Sequence, residues 1–166
     1  STLLLNPLPL AHVSGLMPWW RSRCWGAGHQ SLAPGLMKTP AELLAFCQGL
    51  PTWGKNPAVL SLVPTQLARL LAHPDGVAFL QRLQLIWIGG AALPAPLADQ
   101  ARALQLPLAP CYGSTETAAM VAALPPDRFL AGEPGCGDPL VDVELRLAAD
   151  GALEVRTDRL ALGCWR

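Results

Sequence analysis

The chain has 166 residues, 51% hydrophobic and only 14% charged, and its twelve basic and twelve acidic side chains cancel to a formal charge of zero. That length holds one domain with a real core. The absence of a basic run argues against a nucleic-acid partner, and no apolar stretch nears the ~20 residues of a membrane helix.

So low a charge content points to extensive burial, or to apolar faces that meet further polypeptide. The first fifteen residues, STLLLNPLPLAHVSG, lack the basic start and the cleavage site of a signal peptide. They also lack an initial Met, which points to a start within a longer protein. Cys24, Cys47, Cys111, Cys136 and Cys164 are odd in number, far apart and free of C-x-x-C pairing. That usage argues against a disulfide framework or a structural zinc site and fits reduced thiols in a cytoplasmic protein.

Thr39–Leu50 reads as a helix, with Thr39 as N-cap, Pro40 in the first turn and Gly49 near the end. Ala58–Val63, an apolar run between prolines, reads as a buried strand. Thr65–Ala72 puts Leu67, Leu70 and Leu71 on one helical face, and Gly76–Leu83 reads as a second short helix. Leu85–Ile88 is another buried strand, stopped by Gly89-Gly90, and Ala95–Leu104 is helical. Leu106–Tyr112 is a weaker strand, because its prolines cannot donate to a ladder. Thr115–Ala123 fits a helix start and a short strand equally. Val141–Thr157 alternates apolar and polar residues on either side of Asp150-Gly151, a β-hairpin pattern.

The order strand, helices, strand, helix, strand predicts an α/β fold. Its sheet is parallel or mixed, with flanking helices, and a β-hairpin region follows at the C-terminus. Residues 1–140 form the α/β part in this reading, and 141–166 a β-rich segment of the same domain. Loops leaving successive parallel strands share one edge, where ligands bind. GGAALP (89–94) and YGSTET (112–117) are brought together there.

Gly89 and Gly90 allow backbone to come close to a flat ligand, although a plain strand-to-loop turn would use them too. Gly113 permits a sharp turn, and Ser114 and Thr115 offer hydroxyls to an anion. Glu116 would repel a phosphate unless a cation such as Mg²⁺ took oxygens from both. An ordinary N-cap box with an acid in its first turn explains the same residues.

YGSTE (112–116) resembles the Tyr-Gly-x-Thr-Glu signature of the adenylate-forming superfamily, which includes acyl-CoA synthetases and luciferases. IGGAALP, PLPLAHVSGL, GEPGCGDPLVDVELRL and LALGCWR resemble further segments of that family, in its order and across nearly the whole chain. LSLVPTQLARLL (60–71) is most similar to the 2-succinylbenzoate–CoA ligases of menaquinone and phylloquinone synthesis.

The resemblance implies roles. Gly89, Gly90 and Ala91 line the adenine and the acyl pocket, and Tyr112 stacks on the adenine beside Gly113 and Ser114. Thr115 hydrogen-bonds the α-phosphate, Glu116 holds Mg²⁺, and His12 lies near the carboxylate or the acyl tunnel. Gln66 and Thr65 face the acyl pocket, unless Thr65 merely starts a helix. The implied substrates are ATP, CoA and a small carboxylic acid. The implied reaction is an acyl-adenylate step followed by thioester formation, without a protein nucleophile. A homo-oligomer is left open.

The family also carries an upstream phosphate loop and a downstream hinge domain with a catalytic lysine. Neither is found in this sequence, and Cys164 stands where the family has Tyr. The expectation is therefore the central part of a larger enzyme, inactive by itself. A different acid substrate, or a non-catalytic nucleotide-binding remnant, stands beside the 2-succinylbenzoate reading.

Overall fold

The computed structural model describes residues 1–163. β1 (Leu3–Asn6) leads through α1 (Val13–Trp25) to β2 (Gly28–Ser31), and a 3-10 turn at Pro34–Lys38 precedes α2 (Pro40–Gln48). β3 (Ala58–Leu62), α3 (Pro64–Leu71), α4 (Pro74–Leu80), β4 (Leu85–Ile88), α5 (Ala95–Ala103) and β5 (Leu108–Ser114) follow. β6 (Ala119–Ala123), α6 (Pro126–Leu130) and β7 (Asp138–Pro139) complete a seven-stranded sheet, and β8 (Glu144–Leu147) pairs with β9 (Leu153–Arg156).

The sheet order is β2-β1-β3-β4-β5-β6-β7. The pairs from β2 to β5 are parallel, while β6 and β7 are antiparallel additions. The fold is thus α/β with a mixed sheet and a separate antiparallel hairpin, as expected. From β1 the chain runs outward to β2, then crosses back to place β3 on the other side of β1. This reversal leaves a crevice at the carboxyl ends of β1 and β3.

Proline marks where the helices begin. Each helix from α2 to α6 carries one in its first turn, where its missing N–H costs nothing and its fixed φ suits the helix. The capping expected of Thr39 is not made: its hydroxyl donates to Glu42 Oε2 at 3.0 Å rather than accepting from the helix backbone. α1 had no counterpart in the sequence reading. It carries Pro18 internally, and its apolar and aromatic residues lie on all sides, so no 3.6-residue stripe announces it.

Strand alternation gives the sheet two different faces. Leu3 and Leu5, Leu60 and Leu62, Ile86 and Ile88, and Leu108 point to one face. They pack there in one core with Leu43 of α2, Leu67 and Leu70 of α3, Phe79 of α4 and Ala101 of α5. The other face presents Ser61, Trp87 and Ala109 side by side, in the β3–β4 and β4–β5 registers. α1 lies over that face, resting on β1 and β2 and reaching β6. Among the described residues, no helix is long and apolar enough to cross a membrane.

Candidate active site

A cleft of about 440 Å³ opens between α1 and this second face, at the carboxyl edge of the parallel strands. Its floor is Ser61, Trp87 and Cys111, its α1 wall is Val13, Ser14, Met17 and Arg21, and its rim is Val63, Gly89, Gly90 and Gly113–Thr115. Small residues at Ser61, Gly89, Cys111 and Gly113 leave the space open beneath the helix.

Asn6, at the end of β1, fixes the α1 wall. It is buried, its Nδ2 donates to Gly15 O at 2.8 Å, and its Oδ1 accepts from Leu8 N at 3.2 Å. Gly15 sits so close to the loop that a Cβ there would meet Pro9 O at 2.2 Å. His12, the N-cap residue of α1, makes no side-chain cap bond, and its exposed side chain lines the cleft. On the opposite rim Gly90 has φ +80°, and a Cβ there would press on Val63 Cγ1 at 3.2 Å. Glycine suits both the angle and the space.

The YGSTET segment settles as strand and turn rather than as a helix start. β5 runs through Ser114, Thr115–Ala118 turns, and β6 returns antiparallel, with a bulge between Tyr112 and Gly113. The helix N-terminus considered for anion binding is therefore not formed. Thr117 holds the turn instead. Its buried hydroxyl accepts from Ser114 N at 3.0 Å and lies 2.8 Å from Ala119 O and 3.1 Å from Ser114 O. Ala118 and Ala119 adopt positive φ of 51° and 95°. A Cβ at Gly113 would meet Ala119 O at 2.0 Å, so the return strand needs glycine there. Glu116, at the tip, is fully exposed. Its own backbone N–H and the Ser114 hydroxyl hold its carboxyl below the ordinary value, so it is ionised at neutral pH.

One wall residue is not among the sequence-based candidates. Arg21 is half-buried against the cleft, its guanidinium 5.5 Å from the centre of the Trp87 ring. It makes no ion pair or hydrogen bond among the described residues. Burial, and then the nearby Arg159, lower its pKa. Only its place within the aromatic run WWRSRCW hinted at a role. Cys111 donates weakly to Ile88 O at 3.3 Å, and burial pushes its thiol up to about 11, so it stays protonated.

His12, Gly89, Gly90, Gly113, Ser114 and Thr115 thus share one cleft. Ala91, Tyr112 and Glu116 lie outside its lining. Alternation along β5 turns Tyr112 away from Cys111, and the residue is 49% exposed with no aromatic partner among the described residues. Gln66 does not face the cleft. Its Oε1 accepts from Val63 N at 3.1 Å and closes the start of α3, while Thr65 is exposed outside the lining. The Cys164 position lies outside the described residues.

Comparison with known proteins agrees with this fold. The AMP-binding enzyme family matches residues 1–159. The chain is 34% identical to a 2-succinylbenzoate–CoA ligase of Salmonella typhimurium (strain LT2) over 98% of its length, covering 31% of that protein. It is 33% identical to the Escherichia coli (strain K12) enzyme of the same name, again over 98% of this chain and 31% of that one. The E. coli MenE structure with a bound analogue of OSB-AMS superposes with a TM-score of 0.73 at 32% identity, over all of this chain and 32% of that one. The Bacillus subtilis MenE complex with ATP and magnesium shares the fold, with a TM-score of 0.74 at 23% identity, over 98% of this chain and 34% of that one. The chain spans about three-tenths of the length of the curated relatives it matches. With a family match over almost its entire length and a cleft at the carboxyl edge of its parallel strands, the chain belongs to the AMP-binding enzymes.

Proposed function

We propose that this chain is part of an acid–thiol ligase that activates a carboxylic acid with ATP and passes the acyl group to CoA. The acid it suits best is 2-succinylbenzoate. The observation that carries this reading is the meeting, in one cleft, of the glycine rim, Ser114 and Thr115 at the start of the turn, and the unpaired Arg21 guanidinium. Residues 1–140 and 141–166 are read as successive parts of one adenylating domain. A cytoplasmic location suits ATP and CoA as substrates.

The acid's carboxylate attacks the α-phosphorus of ATP, and pyrophosphate leaves with the broken phosphoanhydride bond. The CoA thiolate then attacks the acyl carbon and AMP departs, leaving a thioester. The protein's share is positioning and charge compensation. Gly89, Gly90 and Ala91 offer backbone that a flat adenine can approach, and the exposed Tyr112 ring offers it a stacking surface. Thr115 hydrogen-bonds the α-phosphate, and His12 faces the reacting carboxylate from the end of α1.

The exposed, ionised Glu116 beside two hydroxyls fits a hard cation. Among the described residues no group of three or more His, Cys, Asp or Glu forms a metal cage. Glu116 is the residue that would hold a Mg²⁺ accompanying the nucleotide. When bound, Mg²⁺ neutralises charge on the triphosphate.

2-Succinylbenzoate carries two carboxylates on an aromatic frame. One reacts, and the other needs a cation in an otherwise apolar cleft. Arg21, over the Trp87 ring in a cleft also lined by Met17, Val63 and Met120, supplies that environment. The test is carboxylate-dependent ATP–pyrophosphate exchange on the longest form of the protein, with 2-succinylbenzoate against benzoate and fatty acids. Exchange with 2-succinylbenzoate that disappears in Glu116→Ala is expected. Arg21→Met should raise the KM for this acid by about 10- to 100-fold and leave the KM for ATP in place. Exchange with another acid alone would remove the substrate assignment. No exchange with any acid from a folded protein would leave a nucleotide-binding remnant.

A further inference from the structure

The segment after β9 is tied across the Thr115–Ala118 turn. Arg159 Nε donates to Asp142 Oδ2 at 2.6 Å and Nη2 to Oδ1 at 3.3 Å, a two-pronged pair. The same guanidinium donates from Nη1 to Met120 O at 3.1 Å, in β6. The Thr157 hydroxyl joins Asp142 Oδ2 at 3.4 Å. Two residues beyond Arg159, Ala161 N donates to Glu116 O at 2.7 Å. Asp142 is itself fixed, because neighbouring Val143 is buried and Leu140 N donates to Val121 O at 2.8 Å. Arg159 therefore joins the strap that follows the hairpin to β6, and the strap then grips the backbone of Glu116.

From this we infer that Asp142 and Arg159 form a clasp that sets the position of the Thr115–Glu116 turn, with Arg159 as a positioning residue for the metal–nucleotide end of the cleft. The inference rests on the proposed ligase reading for its functional half. Three features single out this pair. Among the ion pairs of the described residues it alone has a guanidinium that also bonds a backbone carbonyl of the strand returning from the turn. Its strap supplies the N–H that satisfies the carbonyl of Glu116, on a turn whose tip is otherwise exposed. And Met120, whose carbonyl Arg159 holds, itself lines the cleft.

The test uses Arg159→Met, Asp142→Asn and the reversed pair Asp142→Arg with Arg159→Asp. It has two readouts. One is hydrogen–deuterium exchange at 114–118 and at the Ala161 amide. The other is the Mg²⁺ concentration that gives half-maximal ATP–pyrophosphate exchange. Each single variant is expected to speed hydrogen exchange at the turn and to raise the Mg²⁺ requirement by about three- to tenfold, with the KM for the acid changed less. The reversed pair is expected to recover part of both, which a general loss of stability would not show. Unchanged hydrogen exchange at the turn in both single variants overturns the clasp. Faster exchange there with an unchanged Mg²⁺ requirement overturns its positioning role. If the unaltered protein shows no pyrophosphate exchange with any acid, the ligase reading fails, and hydrogen exchange still decides whether the clasp exists.

Discussion

Thr117 shows how one hydroxyl can shape a site that it does not line. Its oxygen accepts from Ser114 N and lies within hydrogen-bond distance of two carbonyls inside a turn with two positive-φ alanines. Replacing it with Val would take that partner from Ser114 N–H and remove the hydroxyl's own bonding to the turn carbonyls, at a cost of about 1 kcal/mol. Thr117→Ser should restore most of that loss, and urea unfolding of the two variants checks it. Gly113→Ala should cost a similar amount, about 1–3 kcal/mol, because its Cβ would displace the β6 backbone at Ala119. The glycines and hydroxyls of YGSTET were legible in the sequence because their chemistry is local. Arg21 was not, because an arginine within an aromatic run is commonplace until a neighbouring strand puts Trp87 beneath it.

At the scale of elements, prolines and short apolar runs gave β3, β4 and α2 to α5 nearly in place. Each of those signals is carried by a few adjacent residues. Thr115–Ala123 fits a helix start and a short strand equally in sequence, since its small apolar and hydroxyl residues carry no decisive period; the β5 pairing decides, by drawing Ala119–Ala123 into β6. α1 escaped because Pro18 and a run of tryptophans give no apolar stripe, and its helix is supported by the sheet face below. On the other face, Phe79 is fully buried and its ring stacks on Trp53 at 5.7 Å with planes 2° apart. Phe79→Ala should therefore cost about 3–5 kcal/mol, read as a lower urea midpoint with an unchanged slope.

Across the whole molecule, stability is unevenly distributed. β1, β3 and β4 are central and mostly buried, whereas β8 and β9 are largely exposed and pair only with each other. Native-state hydrogen exchange should find the hairpin opening at a much lower free energy than the central strands. Equal protection in both would contradict this. The clasp adds a pH dependence. Arg159 is the first cause of a lowered Asp142 pKa. Its contribution is therefore complete above the ordinary carboxylate value of about 4 and is lost as pH falls through the lower folded value. Protection of the Ala161 amide should hold from neutral pH down to about 4 and fall only below it.

The sequence alone determined the strand–helix alternation of the middle of the chain, the hairpin after it, and the residues at the two loops that meet. These follow from periodicity, proline and glycine, which act over a few residues. The tertiary structure decided that YGSTET is a turn between antiparallel strands and that small residues on one sheet face leave a cleft under α1. It also brought an unpaired guanidinium into that cleft and drew a distant strap over Glu116. Each of these depends on register and on contacts between residues far apart in the chain, and no local pattern encodes such a distance.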